Sequence, residues 1–251
     1  MTVFARLLKR WVLAFVTPRP LVGVFYLLRY FRDWRSFSRS SGAPRLAFSD
    51  AYPCLTDWVP ATPFDPHYFH QGAWLARHLS QENPGLHVDA GSSVMMLSVA
   101  SAWVPTVFVD VRPLRAGISG LLPVAGTLAS LPFADRSVAS LSCLHVIEHV
   151  GLGRYGDPLD PQGAFKAAGE LNRVLKPGGR LYLSTPVGRE RVCFNAHRVS
   201  SPHTVLKWFS GLKLAGFSFV DDAGVFHAGK DPATAADLEY GCGMFIFERP
   251  A

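Results

Sequence analysis

Cysteine is scarce. Cys54, Cys143, Cys193 and Cys242 are scattered over 251 residues without a C-x-x-C pair. That excludes a disulfide scaffold and points to free thiols in a reducing compartment. Long apolar runs are missing as well: "WVLAFV" and "LVGVFYLL" are parted by "TPRP", and neither reaches the roughly 18–20 residues of a spanning helix. No small-residue cleavage pattern follows the first run, so a signal peptide is not expected. Internal repeats and low-complexity tracts are absent. No nucleic-acid motif is present, and no nucleic-acid partner is expected.

Acidic residues are nearly missing from one region. Residues 1–45 hold nine basic residues (Arg6, Lys9, Arg10, Arg19, Arg29, Arg32, Arg35, Arg39 and Arg45) against Asp33 alone, whereas the remainder carries 16 basic and 18 acidic residues. The high isoelectric point therefore belongs to the N-terminal end. "LVGVFYLLRYFRDWRSF" sets aromatic and aliphatic residues beside Arg29, Arg32 and Arg35 at helical spacing, which describes a basic amphipathic helix. Such a helix packs on a domain or a partner, and its charge also suits an anionic leaflet through residues 1–40. The expected location is cytoplasmic, with peripheral contact at the inner face of a membrane.

Three regions follow: a basic extension over 1–45, an irregular Ser- and Pro-rich linker over 46–64, and a folded domain over 65–251. The last opens with Asp65 as a helix N-cap and Pro66 at the first helical position. Strand-like runs then alternate with helical ones: "LHVDAGSS", "TVFVD", "LLPVAGTL" and "VASLSCLHVI", then the helix "PQGAFKAAGELNRVL" and the strand "RLYLSTP". This pattern predicts a doubly wound, mostly parallel α/β sheet with helices on both faces. The closing strand pair adds an antiparallel edge strand.

In such sheets ligands sit beyond the carboxyl ends of the strands, at the switch point. Asp89, Gly91, Ser92, Asp110, His145, Glu148 and His149 fall there. Gly91 lets the backbone approach a ligand, and Asp110, at the next strand end, suits the hydroxyls of a ribose or, alternatively, a turn with Arg112. A third glycine, which a dinucleotide cradle wants, is lacking. His145, Glu148 and His149 spell the inverted zincin pattern H-x-x-E-H, but the glycines after it break any helix, so no metal ligand set is assigned.

"VDAGSS", "VFVD", "LASLPFADRSVASLSCLHVIEHV" and "ELNRVLKPGGRLYLSTP", over about residues 86–187, resemble the successive motifs of class I S-adenosylmethionine-dependent methyltransferases. "HVIEHVGLGRYGDP" and "FNAHR" also resemble a branch of that superfamily whose substrate is not settled. The resemblance implies a Rossmann-like seven-stranded sheet and S-adenosylmethionine as cofactor. Asp89, Gly91 and Ser92 would line its methionine part, Asp110 its ribose, Thr127 and Leu128 its adenine, with His145 near the sulfonium. The chain departs from the family by reading Gly91-Ser92-Ser93 for G-x-G and by lacking an acid near Thr127.

The implied activity is methyl transfer to a small polar acceptor, such as a saccharide or lipid-linked precursor. His149, His197 and His145 are the candidate bases. Glu148, Arg154, Tyr155, Asp157, Asn195 and Arg198 are the candidate acceptor contacts, and the glycines of "GLGRYGDPLDP" would permit a lid. Two other readings remain: a catalytically silent methyltransferase-like module, and a NAD-dependent Rossmann enzyme.

Overall fold

The computed structural model describes residues 20–112 and 114–251, with side chains described from residue 25 onward. The described residues fall into two units, one ending at Phe64 and the other spanning Asp65–Ala251. In the first, helix α1 (Pro20–Ser38) carries Arg29, which pairs with Asp33 at 3.2 Å and stacks over the Trp58 ring at 3.8 Å. After it only the single turn Phe48–Asp50 is helical. Among the described residues no helix is long and apolar enough to cross a membrane. Arg6, Lys9, Arg10, Arg19 and "WVLAFV" lie outside the described residues.

The second unit opens with α2 (Pro66–Glu82). The Asp65 carboxylate accepts from the backbone N–H of His67 at 2.9 Å and of Tyr68 at 3.1 Å, and Pro66 occupies the first turn, where no N–H is needed. Left-handed Asn83 ends the helix. Strands β1 (His87–Ala90), β2 (Thr106–Asp110), β3 (Leu121–Ala125), β4 (Val138–Leu144) and β5 (Leu175–Val187) are parallel to one another, with helices α3 (Val94–Ala100) and α4 (Gly163–Val174) between them. β6 (Arg191–Cys193) and β7 (His197–Val199) form a separate hairpin, followed by α5 (Pro202–Trp208). The chain closes with β8 (Lys213–Val220), β9 (Phe226–His227) and β10 (Gly241–Glu248).

The sheet order is β3-β2-β1-β4-β5-β10-β8-β9. Eight strands replace the seven expected, because the two-residue β9 pairs antiparallel with β8 and forms the edge. β10 is antiparallel too, but it is inserted between β5 and β8. Alternation along the strands divides the core between the two faces: Leu181, Leu183, Phe245 and Phe247 pack with Ala164, Ala168 and Leu171 of α4, whereas Tyr182 and Met244 pack with Trp74, Leu75 and Leu79 of α2. Each such fully buried large side chain contributes about 1.5–3 kcal/mol. Succession runs outward from β1 to β3 on one side and from β4 to β5 on the other, so the switch point lies between β1 and β4.

Candidate functional site

The register sets Asp89 of β1 against Ser142 of β4, and a buried polar network grows from that pair. The Asp89 carboxylate accepts from the Ser142 hydroxyl and, at 2.9 Å, from the Ser92 N–H. The His87 ring joins Ser140 and Ser142, each at 2.8 Å. Ser92 Oγ accepts from the Leu144 N–H at 2.9 Å, tying the β1 turn to the end of β4. Burial raises Asp89 to about 6 and lowers His87 to about 3. The structure corrects the expectation for Asp89 and Ser92. Neither lines the crevice, because their polar atoms are already used in fixing the turn that displays Gly91.

The crevice opens above this network. It gathers Gly91, Asp110, Thr127, Leu128 and His145 from the ends of four successive strands, together with His149, Tyr155 and Asp157. Gly91 has φ +79°, and a Cβ there would lie 2.9 Å from Val146 Cγ1, so glycine alone leaves the floor open. Asp110 is occupied: its carboxylate accepts from the Arg112 backbone N–H at 2.7 Å and from the guanidinium at 3.2 Å. The same guanidinium stacks on Tyr155 at 4.5 Å.

A second cavity shares His145 and His149 with the first, and adds Asp65, His67, Tyr68, Glu148, Arg154, Asn195, His197 and Tyr240. His145, at the end of β4, holds a left-handed φ of +54°, uncommon for a side-chain-bearing residue and costly by about 1–3 kcal/mol. Its Nδ1 meets Glu148 Oε1 at 2.7 Å. Burial alone would drive the ring neutral, but Cys242 and Glu148 outweigh it and raise its pKa well above the usual value. His149 differs. The Ala196 carbonyl lies 2.6 Å from Nδ1 and can only accept, so the proton sits on Nδ1 and Nε2 keeps its lone pair. Burial lowers the pKa of His149 although Glu148 opposes it, and burial likewise lowers that of His197.

The loop after His149 is cross-tied, contrary to the lid that its glycines permit. Asp157 accepts from the Gly151 N–H at 2.6 Å, and the Asp160 N–H donates to the Gly151 carbonyl at 3.0 Å. A Cβ on Gly151 would overlap the Asp160 carbonyl. Arg198 is not available to an acceptor. Its buried guanidinium donates to the backbone carbonyls of Val150 at 2.6 Å, Asp160 at 3.3 Å, Glu148 at 3.4 Å and Pro161 at 3.5 Å. Arg154 donates to the Ala196 carbonyl at 3.1 Å, and Asn195 to Leu152 at 3.5 Å, while both still line the second cavity. Asp160 bonds the Gln162 N–H and Lys166, beside the start of α4. His67, Tyr68 and Tyr240 carry no role in the sequence analysis, where Cys242 is only a free thiol and Arg112 only the alternative turn partner of Asp110, a pairing that the structure shows. The one local signal for the first two was the Asp65-Pro66 cap immediately before them.

A family described as "Caenorhabditis protein of unknown function, DUF268" matches residues 129–226, less than half of the chain. No curated protein matches it. Among solved structures, the chain is similar to 1,6-didemethyltoxoflavin-N1-methyltransferase of Burkholderia thailandensis, seen with 1,6-didemethyltoxoflavin and S-adenosylhomocysteine. That pair has 12% identity and a TM-score of 0.52 over 94% of this chain and 92% of that one. The N-methyltransferase NodS of Bradyrhizobium japonicum, in complex with S-adenosylhomocysteine, gives 14% identity and a TM-score of 0.51 over 88% and 98%. The [4+2]-cyclase SpnF gives 14% and 0.51 over 71% and 81%. A cyclase among such neighbours illustrates that this architecture does not fix the reaction. What these likenesses establish is the fold, that of the class I methyltransferases.

Proposed function

We propose that the chain transfers a methyl group from S-adenosylmethionine to a small polar acceptor. The observation that carries this reading is the convergence of Gly91, Asp110, Thr127, Leu128 and His145 on one crevice at the switch point. Gly91, whose left-handed turn leaves no room for a Cβ against Val146, would bring its backbone close to the cofactor. When bound, the cofactor supplies a methyl already activated by its sulfonium.

Asp110 would accept from the ribose hydroxyls, replacing the Arg112 guanidinium. Leu128, Leu131, Val146 and Val150 supply apolar wall for the adenine. The second cavity would hold the acceptor in line, with Arg154, Asn195, Glu148 and Tyr155 as polar contacts. Methyl transfer asks mainly for alignment and exclusion of water. A protonated nucleophile also needs a base, and His149 suits that role best: its tautomer is fixed, its Nε2 lone pair is free, and its lowered pKa keeps it neutral near pH 7. A saccharide or lipid-linked acceptor would accord with residues 1–40 contacting an anionic membrane, which flotation of the chain with anionic vesicles would read.

Calorimetric titration tests the reading. S-adenosylmethionine should bind, and Asp110→Ala should weaken it by about 1.5–3 kcal/mol. Binding of neither S-adenosylmethionine nor NAD would instead favour a silent module, in keeping with the occupied Asp110. NAD binding alone would overturn the assignment.

A further inference from the structure

Beside the second cavity, three side chains from distant parts of the chain come together: His67 in the first turn of α2, His145 beyond β4 and Cys242 in β10. One donor atom of each lies within 4.8 Å of the other two. Cys242 is fully buried and His145 nearly so, while both histidines line the cavity.

The hydrogen bonding of His145 is incomplete. Nδ1 is committed to Glu148 Oε1 at 2.7 Å, whereas Nε2 is buried without a hydrogen-bond partner. Glu148 Oε2 is buried and unpartnered as well. Orphaned groups of this kind cost about 1–3 kcal/mol each and are few in native proteins. With the carboxylate accepting from Nδ1–H, Nε2 is the ring nitrogen left to a metal, which displaces any proton held there to solvent. That is the orientation in which a carboxylate presents a histidine to a metal. His67 is half-buried and lines the same cavity, with a ring nitrogen inside the triad.

We propose that His67, His145 and Cys242 bind one divalent transition-metal ion of the zinc class, with Glu148 orienting His145 and the fourth coordination position opening on the second cavity. Two imidazoles and a thiolate form a borderline-soft set suited to zinc, whereas magnesium and calcium require oxygen ligands. Three protein ligands with one open position describe a reactive site rather than a closed structural one. With bonds of about 2.0–2.3 Å, tetrahedral donors stand roughly 3.3–3.8 Å apart, so the triad closes by up to about 1 Å on binding. The Cys242 thiol gives up its proton as the sulfur–metal bond forms, and solvent takes that proton.

The rival use of the same residues makes Cys242 a nucleophile served by His145 and Glu148. Cys242, however, is wholly buried and lines neither cavity, so no substrate atom reaches its sulfur. An ion held here would present its open position to an acceptor oxygen or sulfur and favour its ionised form. The site needs only these four side chains and stands apart from the methyl-transfer reading, whose own test is cofactor titration.

The experiment adds Zn²⁺ or Co²⁺ alone to the full chain after chelator treatment. One equivalent should bind, the cobalt form should show a thiolate-to-metal charge-transfer band in the near ultraviolet, and zinc should raise the unfolding temperature. Cys242→Ala should abolish the band and weaken binding at least a hundredfold, as should His67→Asn, which changes a half-buried residue should the cysteine variant fail to fold. Glu148→Gln should weaken binding by about 10–100-fold, and Cys193→Ser should change nothing. Absence of stoichiometric uptake, a cobalt spectrum without the thiolate band, or undiminished binding in His67→Asn would overturn the proposal.

Discussion

The crevice over β1, β2 and β4 takes its walls from strand ends, whereas the cavity beside it is assembled from a helix start, a long loop, the β6–β7 hairpin and the residue before β10. The first is mainly apolar and stands on a hydrogen-bonded network. The second is built of stacked rings, with His145 lying 5.4 Å from His67 and 5.5 Å from Tyr68, and Tyr240 stacked on His67 at 5.2 Å. Topology alone creates the crevice. The cavity instead requires four segments, far apart in sequence, to arrive together, and that is where a chain of this fold can differ from its neighbours.

Altering a base should separate the two regions most sharply. His149→Gln is expected to lower kcat by about 10²–10⁴ while leaving S-adenosylmethionine affinity in place, measured by steady-state kinetics once an acceptor is known and by titration at once. In the wild type, activity should fall only below pH 6.5, because burial sets the pKa of His149 beneath its usual value. A large loss of cofactor affinity in this variant would erase the division.

Removal of Arg198 comes next. Its guanidinium meets four carbonyls, so Arg198→Ala should cost about 2–4 kcal/mol of stability in denaturant unfolding. Arg198→Lys should recover little of it, since a single ammonium cannot span the fork.

The network under the crevice responds to pH in two directions. His87 has a folded pKa of about 3 against about 6.5 unfolded, so its contribution is complete above 6.5 and is lost as pH falls toward 3. Asp89 is raised to about 6 from about 3.9, so it favours the folded state increasingly as pH falls through 6 toward 4. Each acts with a slope of about 1.4 kcal/mol per pH unit inside its window. Between pH 7 and 4 the two largely cancel in wild type, so His87→Asn should gain stability as pH falls, whereas Asp89→Asn should lose it more steeply than wild type. Identical profiles in all three would remove the network from the account.

The smallest effect belongs to Arg112. Its pair with Asp110 is exposed on the arginine side, and ion pairs open to solvent contribute about 0–1 kcal/mol. Arg112→Ala should tighten S-adenosylmethionine binding by a factor of a few, read by titration. Weaker binding would mean that Arg112 assists the ligand instead of competing with it.

Much of the fold was legible because the signals are local. Asp65 and Pro66 announce α2, Gly91 marks a tight turn, and strands with apolar runs alternate with helices of period 3.6. The eighth strand was not legible, since Phe226 and His227 are too few to show any period. Nor was the position of β10 within the sheet, because sequence order does not give strand order. At the site, Asp110, which ends the second strand, and Thr127 and Leu128, which the family resemblance pointed to, line one crevice. The sequence left Arg198 between contacting an acceptor and holding the loops together, because a guanidinium beside a cavity and one directed at carbonyls beneath it look alike in one dimension. His67, Tyr240 and Cys242 gave no usable signal, as their meeting depends on where α2 and β10 pack.

Arg198 grips the loop solely by main-chain oxygens, which every residue type carries in the same place. Side chains between Val150 and Pro161 can therefore be exchanged to suit a new acceptor with the anchorage intact, whereas a single inserted or deleted residue there shifts the oxygens out of reach. Diversification of this segment should proceed by substitution at constant length, and any relative with a longer or shorter segment should also have replaced the arginine.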